Sequence, residues 1–310
     1  MISVVLVTWN SARHLRRCLE GIALQTIALE LIVVDNASSD DSLDIVGDGV
    51  RVIRNTTNRG FSAAVNQALK VARGEFVLLL NPDAFLTRDY IEKLVAALRQ
   101  AGETYGAATG KLLSANDESR VDSKGIRFTR SGRHFDIGQG ELDVPNETTT
   151  EVFGVSGACA LFRRSFLDAV TIDGETLDED FFAYREDADL AWRGRLLGYR
   201  ALYVPSAVAY HVRVVTPEVR RTLPAAINMH SVKNRFLLRL KNEGLYLALR
   251  NAPFELARDV VAIVAVLTIE RSSLPALAWL WKNRRRIMAK RREVQRRRIV
   301  SDRELAPWFR

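Results

Sequence analysis

The sequence predicts an α/β fold in which a mostly parallel sheet is flanked by helices. From residue 2 onward, short and continuously apolar segments alternate with segments whose apolar residues recur at helical spacing. Strands that crossover helices bury on both faces have this apolar, valine-rich composition. The chain has 310 residues, 47% of them hydrophobic, and no Pro/Gly/Ser-rich linker divides it. This is enough for one large domain with an appendage.

The first hundred residues contain four predicted strands, each followed by a helix. Strands are expected where apolar residues run without interruption, at 2–8, 31–34, 50–54 and 75–80. The helix after the first strand places Leu15, Leu19 and Ile22 on one face. The next helices are expected just after residue 41, over 61–73 and over 89–100. This alternation of strand and helix is what a parallel sheet requires.

The pattern changes in the second half of the chain. Residues 113–150 are rich in Gly, Ser and charged residues, and we interpret them as an excursion from the core. A strand is then expected within 152–163, a helix over 187–197, a strand over 200–205 and a helix ending near Lys241, with C-terminal amphipathic helices over 254–298. We therefore divide the chain into a main domain, 1–240, and a helical, basic extension, 241–310.

Most of the excess positive charge lies near the C-terminus. The formal charge is +8, and residues 282–298 hold ten Lys or Arg against one Glu, a local charge of +9. The rest of the chain is therefore close to neutral, with about −1. A neutral body argues against an enzyme that acts on nucleic acids, so we expect no nucleic-acid partner.

Cysteine usage and hydropathy indicate a cytoplasmic protein without a spanning helix. Cys18 and Cys159 cannot form a disulfide framework and have no metal-ligand spacing. The first strand begins without a preceding basic segment, which predicts no signal peptide. The apolar stretch 260–269 is about half as long as a bilayer-spanning helix must be.

Polar residues follow the apolar strands directly. Thr8 and Asn10 follow the first strand, Asp35 and Asn36 the second, and Asn81-Pro82-Asp83 the fourth. In an open parallel sheet, ligands bind beyond the carboxyl ends of the strands. Thr8 and Asn10 suit hydrogen bonds to a base and its ribose, and Asp35 can accept one from a nucleobase N–H. Each of these residues also suits a simple turn or helix cap, and that alternative stays open for each motif alone.

Asn81-Pro82-Asp83 is the candidate metal motif. Two oxygen-bearing side chains beyond a buried strand, on a connection stiffened by proline, suit Mg²⁺ or Mn²⁺. Such a cation would bind a diphosphate and neutralise the charge that develops as it leaves. His211, one of four histidines, is a second candidate ligand if Asp83 lies nearby, although a lone histidine is more often structural. Asn-Pro-Asp is also an ordinary turn sequence.

The segment 179–190 is the strongest local signal. It contains five carboxylates and three aromatic residues within twelve positions, which a solvated face does not explain. Aromatic side chains exclude water, and clustered carboxylates raise one another's pKa, so one of them is suited to act as a general base. Asp187 is the candidate, and it also stands where a helix is expected to begin, so it suits a helix cap as well.

Taken in order, these motifs resemble family 2 glycosyltransferases, inverting enzymes with the GT-A fold, which contains a Rossmann-like sheet. The resemblance covers roughly residues 2–240 and rests on the motifs together rather than on any one of them. The motifs are Val5-Leu6-Val7-Thr8-Trp9-Asn10, Ile32-Val33-Val34-Asp35-Asn36, Asn58-Arg59-Gly60-Phe61 with Asn66, Leu80-Asn81-Pro82-Asp83, Gly157-Ala158, and Glu186-Asp187-Ala188-Asp189 with Arg193. The Asn-Pro-Asp form and the late His211 most resemble bacterial rhamnosyltransferase-like members.

The resemblance implies a role for each matching position. The base that deprotonates the acceptor hydroxyl would be Asp187, and the metal would be held by Asp83 and His211. The substrates, with a UDP- or dTDP-sugar as donor, would be bound by Thr8, Asn10, Asp35, Asn58, Gly60, Asn81, Gly157 and Glu186. Gly157 and Glu186 belong to the acceptor half of the resemblance. The implied reaction moves a hexose such as rhamnose to a glycan or lipid-linked acceptor during cell-surface polysaccharide synthesis. One departure is Asn81, which stands where the family's metal motif usually has aspartate, so the affinity for metal is expected to be lower.

The basic extension suggests where the protein acts. Residues 274–281 are apolar with two tryptophans, and the basic run follows at once. Tryptophan beside Lys and Arg suits an anionic membrane surface, where each basic residue contributes about 1 kcal/mol. We therefore predict peripheral binding at the inner face of the cell membrane. The alternatives are a solvated basic helix and a helix docked in a homo-oligomer.

Two other classes of protein are weighed against the glycosyltransferase. A sugar nucleotidyltransferase or a dinucleotide oxidoreductase needs a glycine-rich phosphate loop after the first strand, and residues 8–12 contain no glycine. A non-enzymatic protein that binds nucleic acid or membrane through its basic tail is the other alternative. The near-neutral body argues against the nucleic-acid form of that alternative.

Overall fold

The computed structural model describes residues 1–213 and 225–310. Its first part follows the predicted alternation of strand and helix closely. The elements are β1 (Ile2–Thr8), α1 (Ala12–Ala23), β2 (Leu29–Asp35), α2 (Ser42–Val46), β3 (Arg51–Arg54), α3 (Phe61–Leu69), β4 (Phe76–Leu80), β5 (Ala84–Leu86) and α4 (Tyr90–Ala101).

The middle part adds strands of both directions and two helices. The elements are β6 (Tyr105–Ser114), β7 (Asp117–Ser123), β8 (Ile126–Phe128), β9 (His134–Asp136), β10 (Thr150–Val152), β11 (Cys159–Arg163), α5 (Arg164–Val170), α6 (Glu186–Leu196) and β12 (Arg200–His211). The C-terminal part is helical: α7 (Ala225–Asn242), α8 (Leu245–Thr268), α9 (Leu274–Lys282), α10 (Arg284–Arg297) and α11 (Asp302–Leu305).

One large sheet organises the described residues. Its strands lie in the order β10-β12-β6-β11-β4-β1-β2-β3, with β5 beside β12 and β7 beside β6. Strands β3, β2, β1 and β4 are parallel neighbours, and β6 and β12 are parallel to each other. Strand β11 is antiparallel to both of its neighbours, β4 and β6, so β4 and β6 point in the same direction. The six strands other than β11 that are named here are therefore all parallel. The prediction of a mostly parallel sheet is confirmed.

Hydrophobic layers cover both faces of this sheet. Side chains alternate along β1, so that Val4 and Leu6 pack on one face and Val5 and Val7 on the other. Helices α1 and α4 contribute to the first layer, and α3 and α5 contribute to the second. Burial on both faces leaves the ends of the strands as the places where polar side chains can meet.

Two predictions for the middle of the chain need correction. The last strand was expected to end at Pro205, but β12 continues to His211, with a register shift opposite β6 between Val204 and Val208. Proline cannot donate a ladder hydrogen bond, and the bulge there lets pairing resume beyond it. Residues 113–150 were interpreted as an excursion from the core, but part of this region joins the main sheet, because β7 pairs with β6 and buries Val121, Asp122 and Ser123.

The C-terminal helices share a hydrophobic core with the main domain. Trp192 of α6 and Phe128 belong to one buried cluster with Leu237 of α7, Ile287 of α10 and Phe309. The boundary placed at residue 240 falls inside α7. The extension therefore packs as part of the folded body.

Much of the basic run is engaged within the protein. Arg286 forms an ion pair with Asp180, Lys290 pairs with Asp178 at 2.6 Å, and Arg297 donates to the Thr171 carbonyl at 2.7 Å. Helix α10 therefore uses these side chains to dock on the main domain, and peripheral membrane binding by the basic extension stays a prediction. Lys282, Arg284, Arg285 and Arg292 remain exposed.

Candidate active site

Predicted site residues from distant parts of the chain lie at one edge of the sheet. Thr8 and Asp35 are the paired last residues of β1 and β2, and Asn81 follows β4. Because β11 is antiparallel, Gly157, two residues before its start, lies at the same edge. Neighbouring strands are about 4.8 Å apart, so the edge from β2 to β11 spans roughly 14 Å. An extended ligand can contact all of these strand ends.

The ends of β1 and β2 form a hydrogen-bonded unit. The Thr8 hydroxyl donates to Asp35 Oδ1 at 3.1 Å, and Asp35 Oδ2 accepts from the Ser38 backbone N–H at 3.2 Å. Thr8 and Asp35 are buried, whereas Asn10 is exposed and its Oδ1 accepts from Ser39 N at 2.8 Å. Asn10 therefore fastens the loop after β2 and does not cap α1, whose N-cap has no side-chain hydrogen bond.

A turn next to this unit is held by Asn36. Its Nδ2 donates to Asn58 Oδ1 at 2.9 Å, and its Oδ1 accepts from Arg59 N at 3.0 Å. Gly60 has a φ of +84°, and a Cβ there would lie 2.6 Å from the ring of Phe182. Only glycine fits this close approach without strain. The turn is thus bound to the end of β2 on one side and to the acidic segment on the other.

The candidate metal ligands lie together at the end of β12. His211 Nε2 is 3.4 Å from Asp83 Oδ1, and Val212 N donates to the Asp83 carbonyl at 3.0 Å. Asp122, from the segment interpreted as an excursion, contacts His211 Nδ1 at 2.8 Å. Arg213 in turn pairs with Asp122 at 2.7 Å. Burial lowers the pKa of His211, but hydrogen bonds to Asp122 and Asp83 outweigh it and raise the pKa to about 9.

These residues fit a divalent cation only in part. Asp83 Oδ1 is buried, and its contact with His211 Nε2 is long, at 3.4 Å, so this oxygen can still accept a cation. Asp122 orients the His211 ring in the way that carboxylates support metal-bound histidines. Within the described ranges, no cluster of three or more His, Cys, Asp or Glu could hold a metal. Asp83 and His211 would therefore need oxygen ligands from substrate and water to complete the coordination.

Asp187 is fixed at the sheet edge by two backbone donors. Its Oδ2 accepts from Gly157 N at 3.1 Å and its Oδ1 from Ala188 N at 2.7 Å. The N-cap position of α6 is Arg185, so Asp187 is not the helix cap. Burial raises the pKa of Asp187 above its ordinary value, although the Gly157 and Ala188 N–H groups lower it in part. A carboxylate with a raised pKa is a better proton acceptor for a hydroxyl.

Glu186 is the protonated neighbour of this base. Burial, together with the charges of Asp187 and Asp189, raises the pKa of Glu186 to about 8. Its Oε2 is buried without a hydrogen-bond partner in the described part of the chain. Glu186 therefore carries a proton at neutral pH, which reduces the repulsion that Asp187 would otherwise experience.

Other carboxylates of the acidic segment have structural partners. Asp189 pairs with Arg193 at 2.8 Å and with Lys241 at 2.7 Å, and Asp180 pairs with Arg286. Glu179 accepts from the amide of Asn66 at 3.1 Å. The prediction that clustered carboxylates raise one another's pKa holds for Glu186, whereas these carboxylates are engaged by cations or by an amide.

The loop that carries Asp187 is strained and is held by one buried amide. Phe182, Tyr184 and Arg185 have positive φ values of 66°, 71° and 73°, which cost non-glycine residues about 1 kcal/mol or more each. Asn234 Nδ2 of α7 donates to the carbonyls of Phe181, Ala183 and Tyr184 at 2.8–2.9 Å. Asn234 therefore stabilises the conformation that precedes Asp187.

Asn234→Ala is expected to lower kcat by about 10- to 100-fold with a smaller change in KM for the donor, because the loop relaxes and displaces Asp187. Steady-state kinetics with melting curves measure both effects. Asn234→Asp is expected to fail to restore kcat, since a carboxylate only accepts hydrogen bonds. The control is Asn116→Ala, at an exposed turn. A lower melting temperature with unchanged kcat would show that Asn234 has no positioning role.

Sequence reasoning missed three residues that shape this site. Asn36 was noticed only as a strand end, and its position beside Asp35 was the available signal. Asp122 lies in a charge-rich stretch, and Asn234 lies on a helix with no local motif, so neither had a signal in the sequence. The structure brings Thr8, Asp35, Asn58, Gly60, Asn81, Asp83, Gly157, Glu186, Asp187 and His211 to the strand ends of the sheet or to the loops beside them.

Comparison with known sequence families identifies the protein as a glycosyltransferase. The sequence model of Glycosyl transferase family 2 matches residues 3–171, more than half of the chain, and the protein belongs to that family. The GT-A architecture is supported by mannosyltransferase PcManGT from Pyrobaculum calidifontis, solved with GDP-Man and Mn²⁺. That structure is 21% identical, with a TM-score of 0.55 over 94% of this chain and 84% of its own.

Relatives in sequence include a protein named as a rhamnosyltransferase. The chain is 29% identical over 241 residues to N-acetylglucosaminyl-diphospho-decaprenol L-rhamnosyltransferase of Mycobacterium tuberculosis, covering 68% of this chain and 76% of that one. It is 29% identical over 230 residues to the protein y4gI of Sinorhizobium fredii. That match covers 68% of this chain but only 24% of y4gI, so the chain spans about a quarter of that relative.

Proposed function

We propose that this glycosyltransferase moves rhamnose or a similar hexose, with inversion, from a UDP- or dTDP-sugar to a hydroxyl of a lipid-linked or polysaccharide acceptor. The observation that carries the proposal is the position of Asp187. Its carboxylate is held by Gly157 N at the same sheet edge as Asp83, Asn81 and Asp35. A base and a diphosphate site at one edge suit a single displacement at the anomeric carbon.

The residues at the edge divide the work of that displacement. Asp187 accepts the proton of the acceptor hydroxyl. The hydroxyl oxygen forms a bond to the anomeric carbon as the bond between that carbon and the diphosphate breaks. Attack opposite the leaving diphosphate inverts the anomeric configuration. The Thr8–Asp35 unit and the turn at Asn58 and Gly60 are suited to hold the base and ribose. They are already ordered by Asn36, so little entropy is lost when the donor binds.

A divalent cation, Mg²⁺ or Mn²⁺, is part of the proposal. Asp83 and His211 would hold it, and it would neutralise the negative charge that develops on the diphosphate. The buried Asp83 Oδ1, only 3.4 Å from His211 Nε2, and the oriented His211 ring support this assignment. The structural relative PcManGT, solved with Mn²⁺, agrees with it.

The sugar and the acceptor are inferred from relatives. The M. tuberculosis relative is named for transfer of L-rhamnose to a diphospho-decaprenol glycan, and another relative, of Escherichia coli, is named rhamnosyltransferase WbbL. Acceptors carried on lipid are consistent with our prediction of a cytoplasmic enzyme bound at the inner face of the membrane. Homo-oligomerisation stays a prediction.

Thermal shift with and without metal tests the donor and the cation together. UDP- or dTDP-rhamnose at 100 times its Kd is expected to raise the melting temperature by about 4 °C, because ligand at that level adds ~2.7 kcal/mol. GDP-sugars are expected to raise it less. Mn²⁺ should increase the shift in the wild type but not in Asp83→Ala, which loses a ligand oxygen. The control is Asp48→Ala, at an exposed position.

Two outcomes would contradict the assignment. If none of the nucleotide sugars shifts the melting temperature, the proposed donor site is wrong. If Asp83→Ala keeps the full Mn²⁺-dependent increment, Asp83 does not hold the cation.

A further inference from the structure

Helix α8 exposes apolar side chains along its whole length. The exposed apolar residues are Leu245, Leu249, Phe254, Leu256, Val260, Val261, Ile263, Val264 and Leu267, each between 37% and 73% accessible. Many are spaced by three or four residues, from 245 to 267, so they form a continuous stripe. At 1.5 Å per residue this stripe is about 33 Å long. Isolated exposed apolar residues are common on proteins, but a stripe of this length is not.

The charged residues of the same helix face the protein. Glu255 is buried and pairs with Arg239 of α7 at 2.9 Å, and Asp259 also pairs with Arg239. Arg258 is half-buried. A helix on the surface of a soluble protein has the opposite arrangement, with its apolar side inward and its charges in water. Helix α8 therefore presents to its surroundings the face that water disfavours.

Basic residues and a tryptophan follow this stripe along the chain. The 3-10 turn at Arg271–Ser273 joins α8 to α9, and Arg271 is exposed there. At the far end of α9, Trp281 is 71% exposed and the Arg284 guanidinium lies 4.4 Å from its ring centroid. We call the exposed residues Arg271, Lys282, Arg284 and Arg285 the basic collar.

The collar indicates what covers the stripe. Anionic lipid headgroups attract Lys and Arg, and tryptophan is favoured at the level of the headgroups, while acyl chains accept the apolar stripe. A second copy of this chain carries the same basic collar and offers it no opposite charge. Charge complementarity therefore favours an anionic bilayer over self-association.

The geometry fits a helix that lies on one leaflet. Among the described helices, none alone is long and apolar enough to cross a bilayer. Helix α8 and the segment 271–282 together reach that length, but they are bent by 107° at their junction. A one-sided apolar stripe is typical of helices that lie in the interface and bury about 5–10 Å deep.

We propose that the exposed stripe of α8 inserts into the interface of an anionic bilayer and that the basic collar binds its headgroups. This inference rests on the membrane location in the proposed function and specifies it further. The principal contact with the membrane is then α8 and not the basic run of α10. Helix α7 contacts α8 through Arg239 and also carries Asn234, so it connects the proposed membrane surface to the loop that precedes Asp187.

Vesicle flotation with matched surface variants tests this proposal. The test variant is Val260→Ser/Val264→Ser/Leu267→Ser, at positions 59%, 52% and 52% exposed. The control is Leu24→Ser/Leu142→Ser/Val144→Ser, at positions 59%, 62% and 56% exposed elsewhere on the protein. With vesicles of phosphatidylcholine and phosphatidylglycerol, the test variant is expected to bind at least about tenfold more weakly than the wild type. The control is expected to stay within about twofold.

The collar is tested separately by charge reversal. Arg284→Glu/Arg285→Glu is expected to weaken binding to anionic vesicles by about tenfold or more and to leave the weak binding to neutral vesicles unchanged. All variants are expected to keep wild-type transfer to a soluble acceptor. If the wild type shows no transfer to a soluble acceptor, the proposed function is wrong, and the proposal for the membrane surface is not affected.

Three results would contradict the proposal that the stripe of α8 binds a membrane. The wild type could fail to float with anionic vesicles, or the Ser variant of α8 could float as well as the wild type. Alternatively, light scattering could show a wild-type dimer that the α8 variant converts to a monomer, with no vesicle binding by either. That result would assign the stripe to a second copy of the chain.

Discussion

Asp187→Asn is expected to lower kcat by about 10²- to 10⁴-fold while nucleotide affinity stays within about twofold. The amide cannot accept the proton of the acceptor hydroxyl, whereas the strand ends that hold the nucleotide are untouched. Asparagine keeps one acceptor oxygen for the Gly157 N–H, so the loop is expected to remain folded. Single-turnover transfer assays and calorimetric titration of the nucleotide measure the two effects.

The pH dependence of kcat/KM is a second test of Asp187 as the base. Burial raises the pKa of Asp187, so the acidic limb of the wild-type kcat/KM is expected at a higher pH than an exposed aspartate would produce. Activity should fall as pH decreases through that limb, because protonated Asp187 is not a base. The control, Asp173→Asn, makes the same exchange at an exposed turn and should behave as wild type. Wild-type turnover by Asp187→Asn would refute its role as base.

Lys241→Met is expected to destabilise the protein by about 3–5 kcal/mol, because it leaves two buried carboxylates without their shared cation. Lys241 Nζ lies 2.6 Å from Asp178 and 2.7 Å from Asp189, and the three side chains are at most 5% exposed. Methionine fills a similar volume, so the loss of stability reports the missing cation rather than a cavity. Urea unfolding followed by circular dichroism measures the change.

The loss should depend on pH in a defined direction. Burial would raise the pKa of Asp178, but Lys241 and Lys290 hold it well below its ordinary range. Their contribution to stability is therefore present at neutral pH and is lost only when strong acid protonates Asp178. Without Lys241 the pKa of Asp178 rises. The difference in free energy of unfolding between variant and wild type should therefore become smaller as pH falls. The control is Lys70→Met, at an exposed position, and a loss below about 1 kcal/mol in Lys241→Met would contradict the argument.

The strand ends illustrate what a single sequence can predict. Buried parallel strands are read directly from uninterrupted apolar runs, and the residue after each run must lie at the edge of the sheet. Thr8, Asp35 and Asn81 were located in this way. The structure places Thr8 at the end of β1, Asp35 at the end of β2 and Asn81 directly after β4, and both β2 and β4 are neighbours of β1. The spacing of Gly157 from β11 had no such meaning until β11 was known to be antiparallel.

Charged side chains illustrate what the sequence leaves open. The acidic segment and the basic run were each visible, but their pairing was not, since Asp180 and Arg286 are separated by more than a hundred residues. The same limit applies to Asp122, whose partner His211 comes from a different strand. Ion pairs and hydrogen bonds between distant residues depend on how elements pack, and local periodicity carries no record of that packing.

The sequence alone therefore determined the α/β class, the polar strand ends and the acidic segment that contains the candidate base, because each follows from side-chain order along one element. The tertiary structure decided which carboxylates are paired, which residues orient His211 and which face of α8 meets the surroundings. Those outcomes depend on contacts between elements. Helix α8 has both apolar and charged residues in its sequence, and only its packing against Arg239 turns the charges inward and leaves the apolar stripe exposed.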